Sequence, residues 1–369
     1  MSALEVRVDY GAITRNVEVL RAGTADAEVM AVVKADAYGH GLAAAATAAR
    51  RGGATWLGVA QPGEALALRA AGDTGRILTW LYGPSFAARE LVIADVDLSV
   101  SSPEVLGAIV AVARDLGAQP RLHICVDTGL GREGVPIIEL GGLLDLALSA
   151  QDEGVVRIVG MWSHLAWADA PGHPTIDMQA DVFREALSMA QDRRIALEVR
   201  HLANSACTLT RPDLHFDLVR PGIAIYGLPP VPDPDGERFG LTPAMAVRSE
   251  VILVKDVTAG HGVSYGHDYV TPYATSLGLV SAGYADGVFR AAGNRAEVEI
   301  RGRRYTIAGR VCMDQFVVDL GPATEVRAGD VATLIGPGGP TATEWANAID
   351  TIDYEVVCRF GALRDKGEA

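Results

Sequence analysis

The chain has 369 residues, 49% of them hydrophobic, with four cysteines and a formal net charge of −14. That length and apolar content suit one large domain plus a smaller one, and the acidity argues against a nucleic-acid surface. No apolar run reaches the roughly 20 residues of a membrane span, the charge-interrupted start is not a signal peptide, and the scattered cysteines lack zinc or disulfide spacing, so a cytoplasmic protein without structural metal is expected.

In chain order, Leu4–Val8 alternates like a strand and is open to either domain. Short apolar runs follow at Val29–Val33, Trp56–Ala60, Ile77–Leu81, Val96–Val100, Leu122–Val126, Val156–Trp162, Glu198–Leu202 and Leu218–Tyr226. Helix-like stretches lie between them, at Leu42–Arg51, Glu64–Ala71, Pro103–Leu116, Ile138–Gln151 and Ile176–Arg193. Eight strands separated by helices predict a parallel sheet closed as a (β/α)8 barrel. A doubly wound sheet would carry a Gly-x-Gly-x-x-Gly turn after its first strand; this chain has Lys34 there instead. The proline-rich stretch Leu228–Gly236 reads as a linker. Beyond it, Met245–Val254, Ser276–Ala282, Ala296–Ile307, Phe316–Leu320 and Val331–Ile335 read as strands, with one helix signal at Thr341–Ala348 and a glycine-rich turn at Gly336–Pro340. The expected division is a barrel over 1–228 and a mostly β domain over 237–369.

Chemistry on such a barrel sits where strands end. Lys34 closes the first apolar run, in Val32-Val33-Lys34-Ala35-Asp36-Ala37-Tyr38-Gly39-His40-Gly41. An amine entering an apolar mouth loses solvation, becomes nucleophilic and suits a Schiff base. Later strand ends add Asp127–Arg132, Trp162-Ser163-His164, His201–Ala206 and Val219–Ile223. An amine, a flat imidazole, an arginine and hydroxyl plus backbone donors form the set that pyridoxal 5′-phosphate requires.

These segments, with Val263-Ser264-Tyr265-Gly266, Gly283-Tyr284-Ala285-Asp286-Gly287, Val311–Gln315 and Thr351–Cys358, resemble alanine racemase, a fold-type III pyridoxal-phosphate family, in order and over nearly the whole chain. The resemblance implies that Lys34 anchors the cofactor. It places Tyr38, Asn204, Ser205, Tyr354 and the N–H groups of Gly222 and Ile223 around the phosphate, His164 against the ring and Arg220 at the ring nitrogen. It gives Lys34 and Tyr265 as opposed bases, Tyr265 coming from the partner of a homodimer with shared sites. Arg132 and the Met313 backbone would bind the substrate carboxylate, with His201, Asp314 and Tyr284 in support and Arg290, Arg310 and Asp169 behind Tyr284. The implied activity is reversible conversion of L-alanine to D-alanine, used for peptidoglycan.

An arginine cannot accept a proton, so the ring nitrogen beside Arg220 would stay unprotonated and the carbanion be only weakly stabilised, which favours proton exchange over transamination. One position departs from the family. Many members carry a carbamylated lysine two residues before the Asp of Asp-Thr-Gly, where this chain has Cys125. A neutral thiol cannot orient Arg132, so a chloride or another acidic group is expected beside that arginine. The competing readings are a racemase of serine or another small amino acid, a barrel-only cofactor carrier, a decarboxylase of basic amino acids and a barrel without cofactor. The β domain with Tyr265 argues against the carrier.

Overall fold

The computed structural model describes residues 4–232 and 239–362. The chain divides into two compact units, one formed by Tyr10–Ala37 and Leu42–Thr242, the other by Met1–Asp9, Tyr38–Gly41 and Pro243–Ala369. Most of the linker stretch, Leu228–Pro232, is described; positions 233–236, and 237–238 after them, lie outside the described residues, as do 1–3 and 363–369. Among the described residues no helix is long and apolar enough to cross a membrane.

The larger unit is a (β/α)8 barrel. Its strands are β2 (Glu28–Val32), β3 (Trp56–Val59), β4 (Arg76–Thr79), β5 (Asp97–Val100), β6 (Arg121–Asp127), β8 (Arg157–Trp162), β9 (Val199–His201) and β10 (Leu218–Val219), all pairing in parallel. A two-residue strand, β7 (Val135–Pro136), adds to the end of β6. β10 pairs with β2, and a bridge between Asn204 and Arg220 closes the ring. Strands covered on both faces need continuous apolar runs, and β3 and β5 are buried at every position. Met30, Trp56, Leu78, Val199 and Leu218 form one core cluster with Trp80 packed against it. Ion pairs tie the strand starts: Arg76 and Arg121 both hold Asp97, and Arg76 and Arg157 both hold Glu198. The starts thus carry stability and leave the other end for chemistry.

The run Leu218–Tyr226 is not one strand. Its strand covers only Leu218–Val219, with the single bridge at Arg220 beyond it, then Ile223–Tyr226 winds into a short 3-10 turn ending at Gly227. Pro221 removes a ladder donor there, and the four apolar residues of the turn are fully buried, so hydrophobicity alone did not distinguish turn from strand.

In the other unit, β1 (Leu4–Val8) pairs antiparallel with β11 (Met245–Val257), Leu4 opposite Ser249. The sheet contains β14 (Thr275–Val280), β15 (Glu297–Ile300), β16 (Arg303–Thr306), β17 (Phe316–Gly321) and β18 (Val331–Ile335), in the order β16-β15-β18-β11-β14-β17. A register shift between Val251 and Leu253 lets β11 pair β18 through its first half and β14 through its second. Ala296–Ile307 is a hairpin rather than one strand, turning at Arg301-Gly302. A small pair, β12 (Gly262–Val263) and β13 (Tyr269–Val270), brackets Tyr265. Gly336–Pro340 is a turn closed by Gly336 N–H donating to Pro340 O at 3.0 Å. Two helices follow, not one: Ala342–Ile349, capped by Thr341 with Glu344, and Asp353–Gly361, whose Val356, Val357 and Phe360 are buried.

Candidate active site

Lys34 stands two residues past the end of β2, half-buried, where the chain does something local preference forbids. Ala35, Asp36, Ala37 and Tyr38 all have φ between 50° and 55°. This is one turn of left-handed helix built without glycine, at a cost of about 1–2 kcal/mol per residue. Such strain persists only where the surroundings over-determine it. Here Ala37 N–H donates to Val33 O at 2.9 Å, Ala35 N–H to Glu64 Oε1 at 2.6 Å, and Leu42 N–H to Asp36 Oδ1 at 2.7 Å. Glu64 uses its other oxygen to accept from Ala60 and Gln61 at the start of its own helix. The sequence Gln61-Pro62-Gly63-Glu64 signals that helix start; nothing in it signals the bond to Ala35.

Arg220 follows β10 and is buried. Nη2 donates to Ser163 O at 2.7 Å and Leu202 O at 3.2 Å, Nη1 to His201 Nδ1 at 3.3 Å, and the guanidinium lies 5.1 Å from the Trp162 ring. Burial lowers its pKa to about 10, so it stays a cation at neutral pH. Behind it His201 Nε2 meets His123 Nδ1 at 2.9 Å, and His123 Nε2 meets Asp97 Oδ2 at 3.0 Å. His123 and Asp97 were not among the sequence candidates. The signal was available: His123 has the same strand parity as Cys125 and Asp127, so all three point into the barrel.

His164 follows β8, its Nδ1 3.5 Å from Arg220 Nη2. Burial pushes its pKa well down, and Arg220, Arg132 and Lys34 push it further. The imidazole is therefore neutral, with Nδ1 toward the arginine and the hydrogen on Nε2. Its loop is pinned by Gln179, which donates to His164 O at 3.0 Å and Thr128 Oγ1 at 3.1 Å, while Thr128 and Ser163 share a 2.8 Å hydrogen bond.

A corner of hydroxyl and amide groups lies at the start of the short helix Ser205–Thr210. Asn204 caps it by accepting from Cys207 N at 3.1 Å. Ser205 Oγ accepts from Gly222 N at 2.8 Å and Ala224 N at 3.3 Å. The Gly222 N–H thus points to the same corner as the Ser205 hydroxyl. Having accepted twice, the Ser205 hydroxyl keeps its own hydrogen to donate.

In the unit containing the β sheet, Tyr38 is buried with its ring centroid 6.0 Å from that of Tyr354. Burial, then Tyr354 and Cys358, push its phenol far above the usual range, so it is a hydrogen-bond donor rather than an anion. Tyr265 is 72% exposed. The residue before it, Ser264, has φ 61° and is held by donating to Arg310 O at 2.7 Å. Arg310 pairs in turn with Asp268 at 2.5 Å. Tyr284 and Met313 are brought together: Tyr284 N–H donates to Cys312 O at 3.0 Å and Ala285 N–H to Met313 O at 2.9 Å. Gly283 is required there, because a Cβ on it would lie 2.1 Å from Met313 O. Asp314 and Arg290 are exposed in this unit, and Asp169 is exposed in the barrel unit.

Arg132 has an acidic partner, Glu133, which grips it through Nε and, at 2.7 Å, Nη2. Cys125 is buried, and burial, then Glu133, raise its thiol well above the ordinary value. It is neutral packing.

A lysine at a strand end, a buried arginine, a neutral imidazole and a hydroxyl-and-amide corner, all at one end of a (β/α)8 barrel, fit pyridoxal 5′-phosphate and define a barrel enzyme of that cofactor class. Comparison with known proteins narrows the class. Residues 8–230 match the family model of the alanine racemase N-terminal domain, and 244–365 that of the C-terminal domain. The alanine racemase of Salinispora tropica is 55% identical over 363 residues, 98% of this chain and 96% of that protein. The alanine racemase structure from Streptomyces coelicolor A3(2) superposes with a TM-score of 0.95 at 49% identity, covering 98% of this chain and 96% of that one. The structure of the enzyme from D-cycloserine-producing Streptomyces lavendulae gives 0.94 at 48%, covering 98% and 95%. The chain belongs to the alanine racemase family.

Proposed function

We propose that Lys34 and Tyr265 are the two bases with which this pyridoxal-phosphate-dependent enzyme interconverts L- and D-alanine. Racemisation removes a proton from one face of Cα and returns one to the other, so it needs a group on each side that can both take and give a proton. The cofactor, when bound, supplies the electron sink that makes this C–H acidic.

The observation that carries the reading is the convergence on His164. Arg220 Nη2 from the end of β10 lies 3.5 Å from its Nδ1, and the charges of Arg220, Arg132 from the loop after β6 and Lys34 from the end of β2 all push its pKa down. Three cations around one neutral imidazole make a mouth that attracts a phosphate and a carboxylate. In this reading Lys34 would hold the cofactor and its amine would serve one face of Cα. His164 keeps Nε2–H as a donor and would pack against the cofactor ring. Arg220, still charged, would hold the ring on its nitrogen side. Asn204, the Ser205 hydroxyl, Tyr38, Tyr354 and the N–H groups of Gly222 and Ile223 take the phosphate. Arg132 and the Met313 backbone take the carboxylate, and Tyr284 narrows the entrance to suit a methyl side chain; His201 and Asp314 support.

Tyr265 serves the other face. Its exposure on this chain supports a homodimer in which a second copy covers it, each site drawing its tyrosine from the partner. Four cysteines with no disulfide among the described residues suit a cytoplasmic enzyme supplying D-alanine for peptidoglycan.

The test is to incubate the holoenzyme with L-alanine in deuterated water and follow both the α-proton signal and the D-isomer. Solvent deuterium should enter Cα as D-alanine forms. Bound cofactor without exchange refutes the reading.

A further inference from the structure

The loop carrying Arg132 is shaped from within. Asp127 Oδ1 accepts from Gly129 N at 2.9 Å and Gly131 N at 3.1 Å, and β7 then returns the chain to β6 two residues beyond Glu133. Between these anchors Glu133 turns back on its neighbour. Oε2 accepts from Arg132 Nε, and Oε1 from Nη2 at 2.7 Å. Two N–H groups on one edge meeting two carboxylate oxygens is the bidentate geometry that fixes a guanidinium plane as well as its charge. The Glu133 side chain is 18% exposed against 55% for Arg132, so the carboxylate is the more firmly packed member. The other edge of the guanidinium, built on Nη1 and Nη2, is left partly to solvent: the Arg132 side chain is 55% exposed, and Nη1 carries no hydrogen bond among the described residues. Cys125, buried beneath the loop, is a neutral thiol and offers no anion.

We propose that Glu133 is a positioning residue of the substrate site: a counter-anion built into the chain that holds Arg132 by one edge so that its other edge meets the carboxylate of the bound amino acid. The proposal rests on reading Arg132 as the carboxylate ligand. Without Glu133 a half-exposed arginine samples several rotamers, and each binding event must select one. The carboxylate takes no part in bond making, so its contact is equal in ground and transition states. Loss of Glu133 therefore raises KM and leaves kcat nearly unchanged.

The test uses holoenzyme of Glu133→Gln, which keeps the shape and removes the charge, and of Glu133→Ala, which opens a space for an added anion. KM for L-alanine should rise about tenfold in Glu133→Gln, with kcat within about twofold. The Kd of propionate, a carboxylate of matching size with no amine to react, should rise in parallel by calorimetry. Formate should lower the raised KM of Glu133→Ala and leave the wild-type KM unchanged. Glu133→Asp, which retains the charge, should restore part of the affinity. Unchanged KM and propionate Kd in folded, cofactor-bearing Glu133→Gln overturn the proposal, as does a fall in kcat alone. A wild-type enzyme that racemises alanine but loses no propionate affinity in Arg132→Ala overturns the reading of Arg132 instead.

Discussion

His123 Nδ1 lies 2.9 Å from His201 Nε2, with both rings fully buried inside the barrel. The protons in this contact follow from the two ends of the chain of bonds. Burial would raise Asp97, but the hydrogen bond from His123 and the hydrogen bond and charge of Arg76 outweigh it and hold the carboxyl at about 2. Asp97 is thus an acceptor, so His123 donates through Nε2 and accepts through Nδ1. His201 then donates through Nε2 and accepts at Nδ1 from Arg220. Two neutral histidines, each in one tautomer, connect the ion-paired strand starts to the arginine of the site. Arg220 is oriented by a line of residues that no local motif contains.

Gly160 on β8 protects that line. A Cβ at this position would lie 2.1 Å from His123 Nδ1. The ring cannot swing away without breaking bonds at both nitrogens. Gly160→Ala should destabilise the protein by about 3 kcal/mol, in the range of buried overpacking plus a lost polar contact, measured by urea unfolding. A variant as stable as wild type would show that the ring has space to move.

Acid should weaken the fold through the two buried histidines before it reaches Asp97. Burial depresses the folded-state pKa of both His123 and His201. Below about pH 6.5 the unfolded chain binds protons that the native state does not, so protonation favours unfolding. Stability is complete above that pH and is lost as pH falls, by up to about 1.4 kcal/mol per unit for each histidine. The Asp97 contribution persists to lower pH and is lost as pH falls below about 4 toward 2. Urea midpoints should hold nearly level from pH 8 to about pH 6.5 and fall from there to pH 5; a flat profile over the whole range would contradict the neutral assignment.

Glu64 should matter to cofactor retention although it lies outside the expected cofactor contacts. It pins the left-handed turn at Ala35 with one oxygen and caps its own helix with the other. Glu64→Gln keeps the size but replaces one acceptor by a donor facing N–H groups. A stability loss of about 1–3 kcal/mol is expected from the unsatisfied amide. Faster loss of the cofactor's visible absorbance on dialysis should accompany it, because the turn presents Lys34.

Lys34→Ala and Tyr265→Phe should separate the two bases. The first should abolish covalent cofactor attachment along with activity, seen as loss of the visible chromophore. The second should leave the chromophore intact and slow L-to-D turnover by about 10²–10⁴-fold, the usual worth of a positioned acid–base group. Loss of the chromophore in Tyr265→Phe would make that tyrosine structural.

Much of the barrel was legible from periodicity. Runs such as Trp56–Val59 and Leu122–Val126 are apolar because helices cover one side of their sheet and the core the other. The misread elements share a cause. Ile223–Tyr226 is as apolar as a strand because it is buried, and Ala296–Ile307 hides a turn inside an unbroken alternation. The helix Asp353–Gly361 went unread as a helix, although its segment carries a motif of the family. The residues of the proposed site were visible one by one, as chemistry at strand ends.

By itself, the sequence determined the order of strands and helices, the class of chemistry at their ends and the family. Those depend on residue type and on spacing along the chain, and both are local. Tertiary structure decided the left-handed turn after Lys34, which intrinsic preference opposes and which Glu64 holds from a separate helix, beside the local bonds to Val33 and Asp36. It also decided the protonation of His123 and His201 and the grip of Glu133 on Arg132. The two histidines lie 78 positions apart and meet only because the barrel closes. Glu133 is adjacent in sequence, but its direction is set by the loop that Asp127 folds. Strain, tautomer and side-chain aim are properties of what surrounds a residue, and the surroundings exist only once the chain has folded.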